Sequence, residues 1–488
     1  MNNKRAIYML IVFGMLFLTL IGYLTYIEIF YASEYRQSAY NPRNYEIEKT
    51  ILRGSIYDRN STLLAYSEKV VEEKVELVNG TEQKMHEERF VRRYPFNNLY
   101  SHVIGYVSGD YSNRTLVENE CNEELLEEGI FSKITGESKK GKDVYITIDH
   151  ELQKEANAAM GNFKGAVVAL NPKNGEILAM VSKPDFNPNY DMISFDSLED
   201  TALFSRAIQM TYPPGSTYKI ITAASAISNG IEDEVYEDNE GTYTIKSDDD
   251  NEKNDFVCQN VNKKPYGSTT LKSALEVSSN VYFCHIGATL STKQVQKTAS
   301  DFMLDKDINK ELGFDLKIKN SHFQKGNMTP AERAISSIGQ GQTEMTPIHL
   351  ALVGATIAND GVMPKPVLVS KVGNSKRLYG ENDGVRIVDE DVAQKIKDMM
   401  LGVVETGTGT AAKINGVKVC GKTGSSENPL TAQGGDNANK THALFVGFAP
   451  YEDPQIAVCV VLEHAGYGGT YAAPVARRVM QKYLNSTN

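Results

Sequence analysis

Uncharged and mostly apolar residues run from position 6 to position 27, directly after two basic residues. A helix of this length and composition can cross a lipid bilayer. A cleaved signal peptide is the alternative, but its apolar core is shorter and ends at a small-residue site, for which only Ala32-Ser33 is a candidate. We therefore expect a single membrane anchor at 6–27. Because positive charges precede it, we expect residues 1–5 to be cytoplasmic and the rest to lie outside.

The stretch from residue 28 to residue 142 is polar and mixed. Valine and glutamate alternate in residues 70–85, which predicts an exposed strand or hairpin. Residues 102–107 predict a short buried strand or turn, and the charged residues 118–140 predict a partly helical segment. No nucleophile stands beside a base in this stretch, so we expect an elongated, mostly-β or mixed pedestal without catalytic residues.

A denser pattern occupies residues 143–488. Residues 144–148 alternate like a strand, and Asp149 can cap a helix that continues through residue 159. Apolar runs at 165–170 and 176–181 flank the turn-forming sequence N-P-K-N-G, which predicts a hairpin.

A second pair of apolar runs lies near the other end of the chain, at 442–448 and 456–462, and a last helix is predicted at 472–484. Strand pairs at both ends of this region enclose its helical segments. We therefore expect an α+β domain with a central antiparallel sheet that chain-distant strands close and helices flank.

Composition narrows the function classes. The 488 residues suffice for two or three domains, and the hydrophobic fraction of 41% allows sizeable cores. A net charge of −11 argues against nucleic acid as a partner. Much of the acidity lies in residues 232–255, which we interpret as a solvated loop rather than a metal site.

Five cysteines at irregular spacing predict neither a disulfide framework nor a zinc site. Cys420 and Cys459 lie in apolar, strand-like runs and are interpreted as core residues. Cys258 and Cys284 can form a disulfide if the fold brings them together, which the spacing alone leaves open.

The first candidate for chemistry is Ser216-Thr217-Tyr218-Lys219, which follows Tyr-Pro-Pro-Gly. Ser216 is predicted to open a helix, and positions i and i+3 of a helix share a face. Lys219 then lies beside the Ser216 hydroxyl, and burial can lower the pKa of a lysine enough for it to serve as the base that serine needs. The alternative is a helix-capping serine with a solvated lysine.

The second candidate is Ser278-Ser279-Asn280, after a helical run at 271–277. A hydroxyl there can relay protons, and an amide can hold a lysine and a substrate carbonyl together. The same pattern occurs at 426–428 and 486–488, so only order and context select 278–280. A polar loop between helices is the alternative.

The third candidate is Lys422-Thr423-Gly424-Ser425, at the end of the strand-like run 417–420. The lysine and the two hydroxyls suit a substrate carboxylate, and glycine lets the backbone approach a ligand closely. The backbone amides of Ser425 and Ser216 can form an oxyanion hole. An exposed turn at the end of a strand is the alternative.

The order S-x-x-K, S-x-N, K-T-G is the motif set of penicillin-binding proteins and class A β-lactamases. Further segments of the chain resemble class B penicillin-binding proteins in particular. These segments are Arg53-Gly54 with Asp58-Arg59-Asn60, Arg206-Ala207, Tyr212-Pro213-Pro214-Gly215, 339–342 with Thr346-Pro347, 406–411 and 442–450.

This resemblance implies a D,D-transpeptidase that cross-links peptidoglycan stem peptides ending in D-Ala-D-Ala and that β-lactams acylate. It assigns Ser216 as nucleophile, Lys219 as base, Ser278 as proton relay and Asn280 as substrate anchor. It places the terminal carboxylate of the substrate at the third motif, 422–425. It implies no cofactor and no metal.

Two positions depart from the common family pattern: Ser279 stands in the middle of the second motif, and Ser425 stands where threonine is common. No run of glycosyltransferase length lies between the anchor and the pedestal, so the resemblance is to class B rather than to the bifunctional class A. It implies as partner a membrane glycosyltransferase of the shape, elongation, division and sporulation group.

Two rival functions remain at this point. A serine β-lactamase or D,D-carboxypeptidase would use the same nucleophile and resolve the acyl-enzyme with water. A non-catalytic β-lactam sensor or scaffold would need an output domain, for which five residues before the anchor leave no room.

Overall fold

The computed structural model describes residues 3–31, 51–78, 81–108, 113–127, 140–189, 198–199, 201–246, 255–376, 384–428 and 440–487. Several predictions fall at least partly outside these ranges. They concern residues 1–2 of the cytoplasmic tail, the Ala32-Ser33 site, residues 32–50, 79–80, 109–112 and 128–139 of the pedestal, and residues 247–254 of the acidic stretch.

Helices of very different length occur in the described residues. They are α1 (Asn3–Phe30), α2 (Leu116–Glu120), α3 (Asn122–Leu126), α4 (His150–Met160), α5 (Arg206–Gln209), α6 (Lys219–Ser228), α7 (Leu271–Val277), α8 (Asn280–Thr289), α9 (Thr292–Asp301), α10 (Ile308–Leu312), α11 (Pro330–Ser337), α12 (Pro347–Ala358), α13 (Glu390–Glu405) and α14 (Gly468–Thr487). Short 3-10 helices are Asn97–Tyr100, Gly215–Tyr218, Val261–Lys263 and Thr410–Ala412.

The strands fall into two larger sheets and several two-stranded pairs. They are β1 (Ile56–Tyr57), β2 (Leu63–Val78), β3 (Thr81–Arg93), β4 (Val144–Ile146), β5 (Gly165–Leu170), β6 (Ile177–Lys183), β7 (Tyr236–Asp238), β8 (Thr242–Ile245), β9 (Phe256–Gln259), β10 (Gly267–Thr269), β11 (Val362–Met363), β12 (Val369–Val372), β13 (Ser375–Lys376), β14 (Val385–Arg386), β15 (Cys420–Ser426), β16 (His442–Ala449) and β17 (Ile456–Leu462).

Within the described ranges, β15, β16, β17, β5 and β6 form an antiparallel sheet in that order. Its two hairpins come from distant parts of the chain and are joined where β17 pairs with β5, with Leu462 opposite Gly165. The predicted α+β class with a central antiparallel sheet closed by chain-distant strands is therefore confirmed.

Helices cover both faces of this sheet because its strands are apolar on both sides. Successive strand residues point to opposite faces. Accordingly, Val461 packs in the cluster that includes α12, whereas Val460 packs in the cluster that includes α4 and α14. The sheet thus lies between two helical layers, and β15 is its edge strand.

Helix α1 contains a stretch, Ile7–Phe30, that is long and apolar enough to cross a membrane. Its large apolar side chains are exposed around the helix. A helix that exposes apolar side chains in this way needs an apolar environment. We therefore describe it as a candidate membrane span.

A second sheet connects the predicted pedestal with the region that follows it. In the described residues its order is β13-β12-β4-β1-β2-β3, with β1 parallel to β4 and the other pairs antiparallel. Strands β2 and β3 form the predicted exposed hairpin. The sharing of one sheet by both regions was not predicted, and the boundary at residues 142 and 143 stays a prediction.

A buried ion cluster lies beside this second sheet. The Glu118 carboxylate accepts from Arg53 Nε and from Arg92 Nε, each at 2.7 Å. Burial raises the pKa of Glu118, but Arg92 and Arg53 outweigh that effect and hold it below its usual value. Gly54 follows the first arginine, and a β-carbon there would lie 1.9 Å from Lys142 O. The R-G pair of the pedestal motif thus has a structural explanation.

The described part of the acidic stretch, residues 232–246 and 255, is not only a solvated loop, because it contains two short strands and a buried aspartate. Residues Tyr236–Asp238 and Thr242–Ile245 form strands β7 and β8. Asp238 is 1% exposed, and its carboxylate accepts hydrogen bonds from Gly241 N–H and from Asn260 Nδ2, each at 2.7 Å. This buried carboxylate therefore has polar partners in the fold that the sequence did not indicate.

The structure also answers the open question about the cysteines. A disulfide joins Cys258 of β9 to Cys284 of α8. Cys121, Cys420 and Cys459 are buried, and the last two lie in strands of the central sheet, as predicted.

Truncating a fully buried side chain of β17 should destabilise the protein. We expect Leu462→Ala, which removes a side chain that is 0% exposed, to lower the free energy of unfolding by about 2–5 kcal/mol. Urea unfolding of the full chain in detergent, followed by circular dichroism, measures this change. The control is Val71→Ala, where the side chain is 53% exposed and the change should stay within about 0.5 kcal/mol. Equal effects of the two substitutions would contradict the assigned core.

Candidate active site

Ser216 lies on a single 3-10 turn, Gly215–Tyr218, and the α-helix predicted to start there begins only at Lys219. In a 3-10 helix the residues i and i+3 are eclipsed. The i, i+3 spacing therefore again favours a shared face for Ser216 and Lys219, on a turn tighter than the predicted α-helix. Ser216 is partly exposed, whereas Lys219 is 0% exposed. A ligand can reach the hydroxyl-bearing residue while water is kept from the amine.

The Lys219 amine has polar acceptors although it is buried. Its Nζ donates to Ser278 O at 2.9 Å and to Asn280 Oδ1 at 2.7 Å, and the Phe283 ring centre lies 5.4 Å away. Burial, and secondarily the charge of Lys422, lowers the pKa of Lys219 well below its usual value. The neutral amine, which can accept a proton, is thereby favoured.

The second motif lies where one helix ends and the next begins. Ser278 ends α7 in the left-handed conformation, with φ 61° and ψ 42°. Ser279 caps α8, its Oγ accepting from Tyr282 N–H at 3.1 Å. Because the chain reverses at Ser278, the carbonyl of Ser278 and the side chain of Asn280 both reach Lys219. Ser278 and Ser279 thus form the short polar connection between two helices that the alternative described, and the connection contacts the Lys219 amine.

The third motif lies within the edge strand β15 rather than in a turn at its end. Lys422 is 0% exposed, and its Nζ donates to Ser278 Oγ at 2.8 Å and to Thr423 O at 3.1 Å. Burial lowers the pKa of Lys422 to about 7. Ser278 Oγ is also 3.4 Å from Lys219 Nζ. The hydroxyl of the second motif therefore contacts the lysines of the other two.

Gly424 explains how the strand lies so close to the Ser216 turn. A β-carbon at this position would lie 2.9 Å from Thr217 Cγ2 and 3.1 Å from Pro214 O. Any side chain would push β15 away from the turn. On the turn itself, a β-carbon at Gly215 would lie 3.0 Å from Ser425 O. Two glycines thus bring the backbones of the first and third motifs together.

Two further side chains touch the third motif. Thr408 Oγ1 is 2.7 Å from Thr423 Oγ1. Ser425 Oγ accepts from Gly468 N–H, at the start of α14, at 3.1 Å. The sequence analysis noted 406–411 only as a family-like segment and gave Thr408 no role. The alternation of threonine and glycine in this segment could have drawn attention to it. No spacing rule, however, predicts that Thr408 contacts Thr423.

A buried ion pair supports the segment that leads to Ser216. Arg206 Nε donates to Glu463 Oε1 at 2.8 Å, and Tyr212 OH donates to the same oxygen at 2.7 Å. Glu463 directly follows the central strand β17, so the residues before the turn are fastened to the sheet. This gives Arg206 and Tyr212 a structural role rather than contact with the lysines.

Hydrogen bonds connect four of the predicted side chains, because Lys219 contacts Ser278 and Asn280, and Ser278 also contacts Lys422. A neutral lysine has two N–H bonds and one lone pair. If Ser278 O and Asn280 Oδ1 accept the two N–H bonds of Lys219, its lone pair is left for another proton. The arrangement can therefore deprotonate a neighbouring hydroxyl, as nucleophilic catalysis by serine requires.

The sequence-family model of the penicillin-binding protein transpeptidase domain matches residues 165–481, which are more than half of the chain. The three motifs all lie within this match, at 216–219, 278–280 and 422–425.

Curated relatives extend the likeness beyond that domain. The peptidoglycan D,D-transpeptidase PbpA of Mycolicibacterium smegmatis is 32% identical over 433 residues, which cover 81% of this chain and 84% of that protein. The peptidoglycan D,D-transpeptidase MrdA of Acinetobacter baumannii is 28% identical over 459 residues, covering 82% of this chain and 66% of that protein.

The fold is similar to that of a solved acyl-enzyme. Penicillin-binding protein A from M. tuberculosis, in its ceftriaxone acyl-enzyme complex, superposes with a TM-score of 0.76 at 28% identity, covering 90% of this chain and 99% of that one.

Removing the charge of Lys422 should shift the pH dependence of covalent β-lactam binding. Because that charge lowers the pKa of Lys219, Lys422→Gln should raise it. Protonated Lys219 cannot accept a proton, so the acidic limb of the rate of adduct formation should move to higher pH. Stopped-flow measurements with a chromogenic β-lactam across pH test this.

The matched control is Lys418→Gln, which removes a 56% exposed amine shortly before the same strand. Its acidic limb should coincide with that of the unmodified chain. An unshifted limb, or a limb at lower pH, in Lys422→Gln would contradict the assigned coupling of the two lysines.

Proposed function

The chain belongs to the penicillin-binding protein transpeptidase family, and on that premise we propose that it cross-links peptidoglycan stem peptides as a serine-type D,D-transpeptidase. The observation that supports its mechanism best is the buried amine of Lys219, whose pKa is lowered and whose two N–H bonds have acceptors. Such an environment favours the neutral form of the amine, which lies one 3-10 turn from Ser216 in the sequence.

Substrate binding is proposed to begin at the third motif. The terminal carboxylate of D-Ala-D-Ala lies against Lys422, Thr423 and Ser425, which supply an ammonium group and two hydroxyls. Gly424 keeps this strand next to the Ser216 turn. The scissile carbonyl is then held with its oxygen towards the backbone amides of Ser216 and Ser425, where developing negative charge is stabilised.

Acylation transfers the proton of Ser216 Oγ to Lys219 Nζ as the oxygen attacks the carbonyl carbon. The C–N bond to the terminal D-Ala then breaks, and its nitrogen receives a proton from Lys219 through Ser278 Oγ, which is 3.4 Å from that amine. Asn280 orients Lys219 and contacts the donor peptide. The products are an ester on Ser216 and free D-Ala.

Deacylation repeats these transfers with a different nucleophile. The amino group of a neighbouring stem attacks the ester carbonyl and loses a proton to Lys219. The C–O bond to Ser216 then breaks, and Lys219 returns the proton to Ser216 Oγ, which leaves a new peptide bond and a free serine. A β-lactam carbonyl reacts at the same serine, but its leaving nitrogen stays attached to the acyl group. The adduct therefore persists and blocks the site.

Two observations support an extracytoplasmic catalytic region. The candidate span in α1 lies N-terminal to all three motifs, and disulfides such as Cys258–Cys284 persist in oxidising compartments. We place residues 1–5 in the cytoplasm, the anchor at 6–27, the pedestal at 28–142 and the transpeptidase domain at 143–488. The partner that makes the glycan strands is a membrane glycosyltransferase of the shape, elongation, division and sporulation group.

The assignment of Ser216 predicts one covalent adduct on one residue. Incubation of the full chain with penicillin should add a single penicilloyl mass, and peptide mapping should place it on Ser216. In Ser216→Ala the adduct should disappear, since loss of a serine nucleophile costs on the order of 10⁶-fold in rate in comparable enzymes. Intact-mass spectrometry measures both results.

Ser228→Ala provides the control, because it removes an exposed hydroxyl at the end of α6, the helix that directly follows the Ser216 turn. It should form the adduct at the unmodified rate. An adduct on Ser216→Ala would refute the nucleophile, and rapid release of the drug by the unmodified chain would favour a β-lactamase instead.

A further inference from the structure

We infer that Asn260, held by Asp238, is a positioning residue that fixes Asn280 against Lys219, an inference that rests on the proposed function. Asn260 follows β9 and is 3% exposed, and Asp238 ends β7 and is 1% exposed. Neither belongs to the three motifs, and Asp238 lies in the acidic stretch that composition predicted to be solvated.

The side-chain oxygen of Asn260 accepts from the start of α8. It lies 2.9 Å from Asn280 N, 3.1 Å from Val281 N and 3.2 Å from Ser279 Oγ. The first backbone amides of a helix have no acceptor within the helix. Asn260 therefore satisfies donors that would otherwise be buried without a partner, and it sets where α8 begins.

The side-chain nitrogen of Asn260 fixes the orientation of that oxygen. It donates to Asp238 Oδ2 at 2.7 Å and to Lys264 O at 2.9 Å. A flipped amide would place its N–H groups against the amides of α8 and its oxygen against the Asp238 carboxylate. One rotamer therefore satisfies all these groups, and Asp238 selects it.

Asp238 is itself anchored by backbone donors. Its carboxylate accepts from Gly241 N–H at 2.7 Å and from Tyr266 N–H at 3.3 Å, besides Asn260. A buried carboxylate needs such partners because its desolvation is costly. The pair therefore forms a rigid support rather than a solvated loop.

The two residues that precede Asn260 in the chain, Cys258 and Gln259, also contact helix α8. Asn280 Nδ2 donates to the main-chain oxygen of Gln259 at 3.0 Å, while its Oδ1 accepts from Lys219. Cys258 forms the disulfide with Cys284, one turn further along α8. Three consecutive residues, 258–260, thus fasten α8 through a covalent bond, a carbonyl and a side-chain amide.

The consequence for catalysis follows from Lys219. Its amine is held by Ser278 O, at the end of α7, and by Asn280 Oδ1, at the start of α8. Small displacements of catalytic groups are expensive, since a misplacement of about 1 Å can cost about 10²-fold in rate. Losing the Asn260 contact should therefore slow acylation even though Asn260 touches neither substrate nor Lys219.

The experiment measures two quantities on the full chain in detergent with a fluorescent penicillin: the rate constant of labelling and the final labelled fraction. Asn260→Asp keeps a side-chain oxygen near α8 but sets its second oxygen against Asp238 Oδ2 and Lys264 O, and this repulsion displaces the acceptor from the amides of α8. We expect labelling to slow by about 10²-fold while the final fraction stays that of the unmodified chain. A merely structural role would instead lower the fraction and leave the rate of the remaining folded molecules unchanged.

A double variant tests the pair itself. In Asp238→Asn with Asn260→Asp, the new amide at 238 donates to the new carboxylate at 260, and the acceptor for α8 is kept. Labelling should be faster than in Asn260→Asp alone. The control Val257→Ala, a 51% exposed position of β9, should label at the unmodified rate.

An unmodified rate in Asn260→Asp, or a lower labelled fraction at an unmodified rate, would overturn the positioning role. A double variant no faster than the single one would overturn the part assigned to Asp238. If the unmodified chain formed no adduct on Ser216, the proposed function would fail. The two failures are therefore distinguishable.

Discussion

The Lys219 amine is fully buried, and the remaining features of the site follow from that constraint. Desolvation favours the neutral amine, yet a buried amine still needs hydrogen-bond acceptors. Ser278 O and Asn280 Oδ1 supply them. The second motif therefore does more than contribute a hydroxyl, because it makes a dry, neutral base possible one turn away from a serine that remains partly exposed.

A second buried lysine, Lys422, also affects the protonation of Lys219. Lys422, with a pKa of about 7, lies close enough to lower the pKa of Lys219 further. Two adjacent ammonium groups repel, so protonation of one lysine disfavours protonation of the other. Ser278 Oγ contacts both amines and can pass a proton between them. A substrate carboxylate at Lys422 would stabilise the charge there and leave Lys219 as the free base.

Local sequence patterns predicted the strands of the central sheet, because a strand's apolar run is visible within a few consecutive residues. The apolar runs 165–170 and 456–462 gave the two strands that close the central sheet, and their bounds agree with the structure. The second motif was selected only by its order and context, yet Ser278 and Asn280 both contact Lys219. The sequence did not predict the burial of Asp238, because its partner Asn260 is 22 positions away and the polar composition indicated solvent. Nor did it predict that β4 pairs with β1 across the expected domain boundary.

The left-handed Ser278 explains why the second motif needs support from outside itself. A non-glycine residue in this conformation costs about 1–3 kcal/mol and persists only where its surroundings determine it. Helix α7 fixes the chain before Ser278 through the Thr270 and Ser273 capping box. Helix α8 fixes it afterwards, and its first turn is held by Asn260 and the disulfide. If either helix could rotate, Ser278 would relax to an ordinary backbone conformation. Its carbonyl would then lose the hydrogen bond to Lys219. The position of the Lys219 amine therefore depends on both helices.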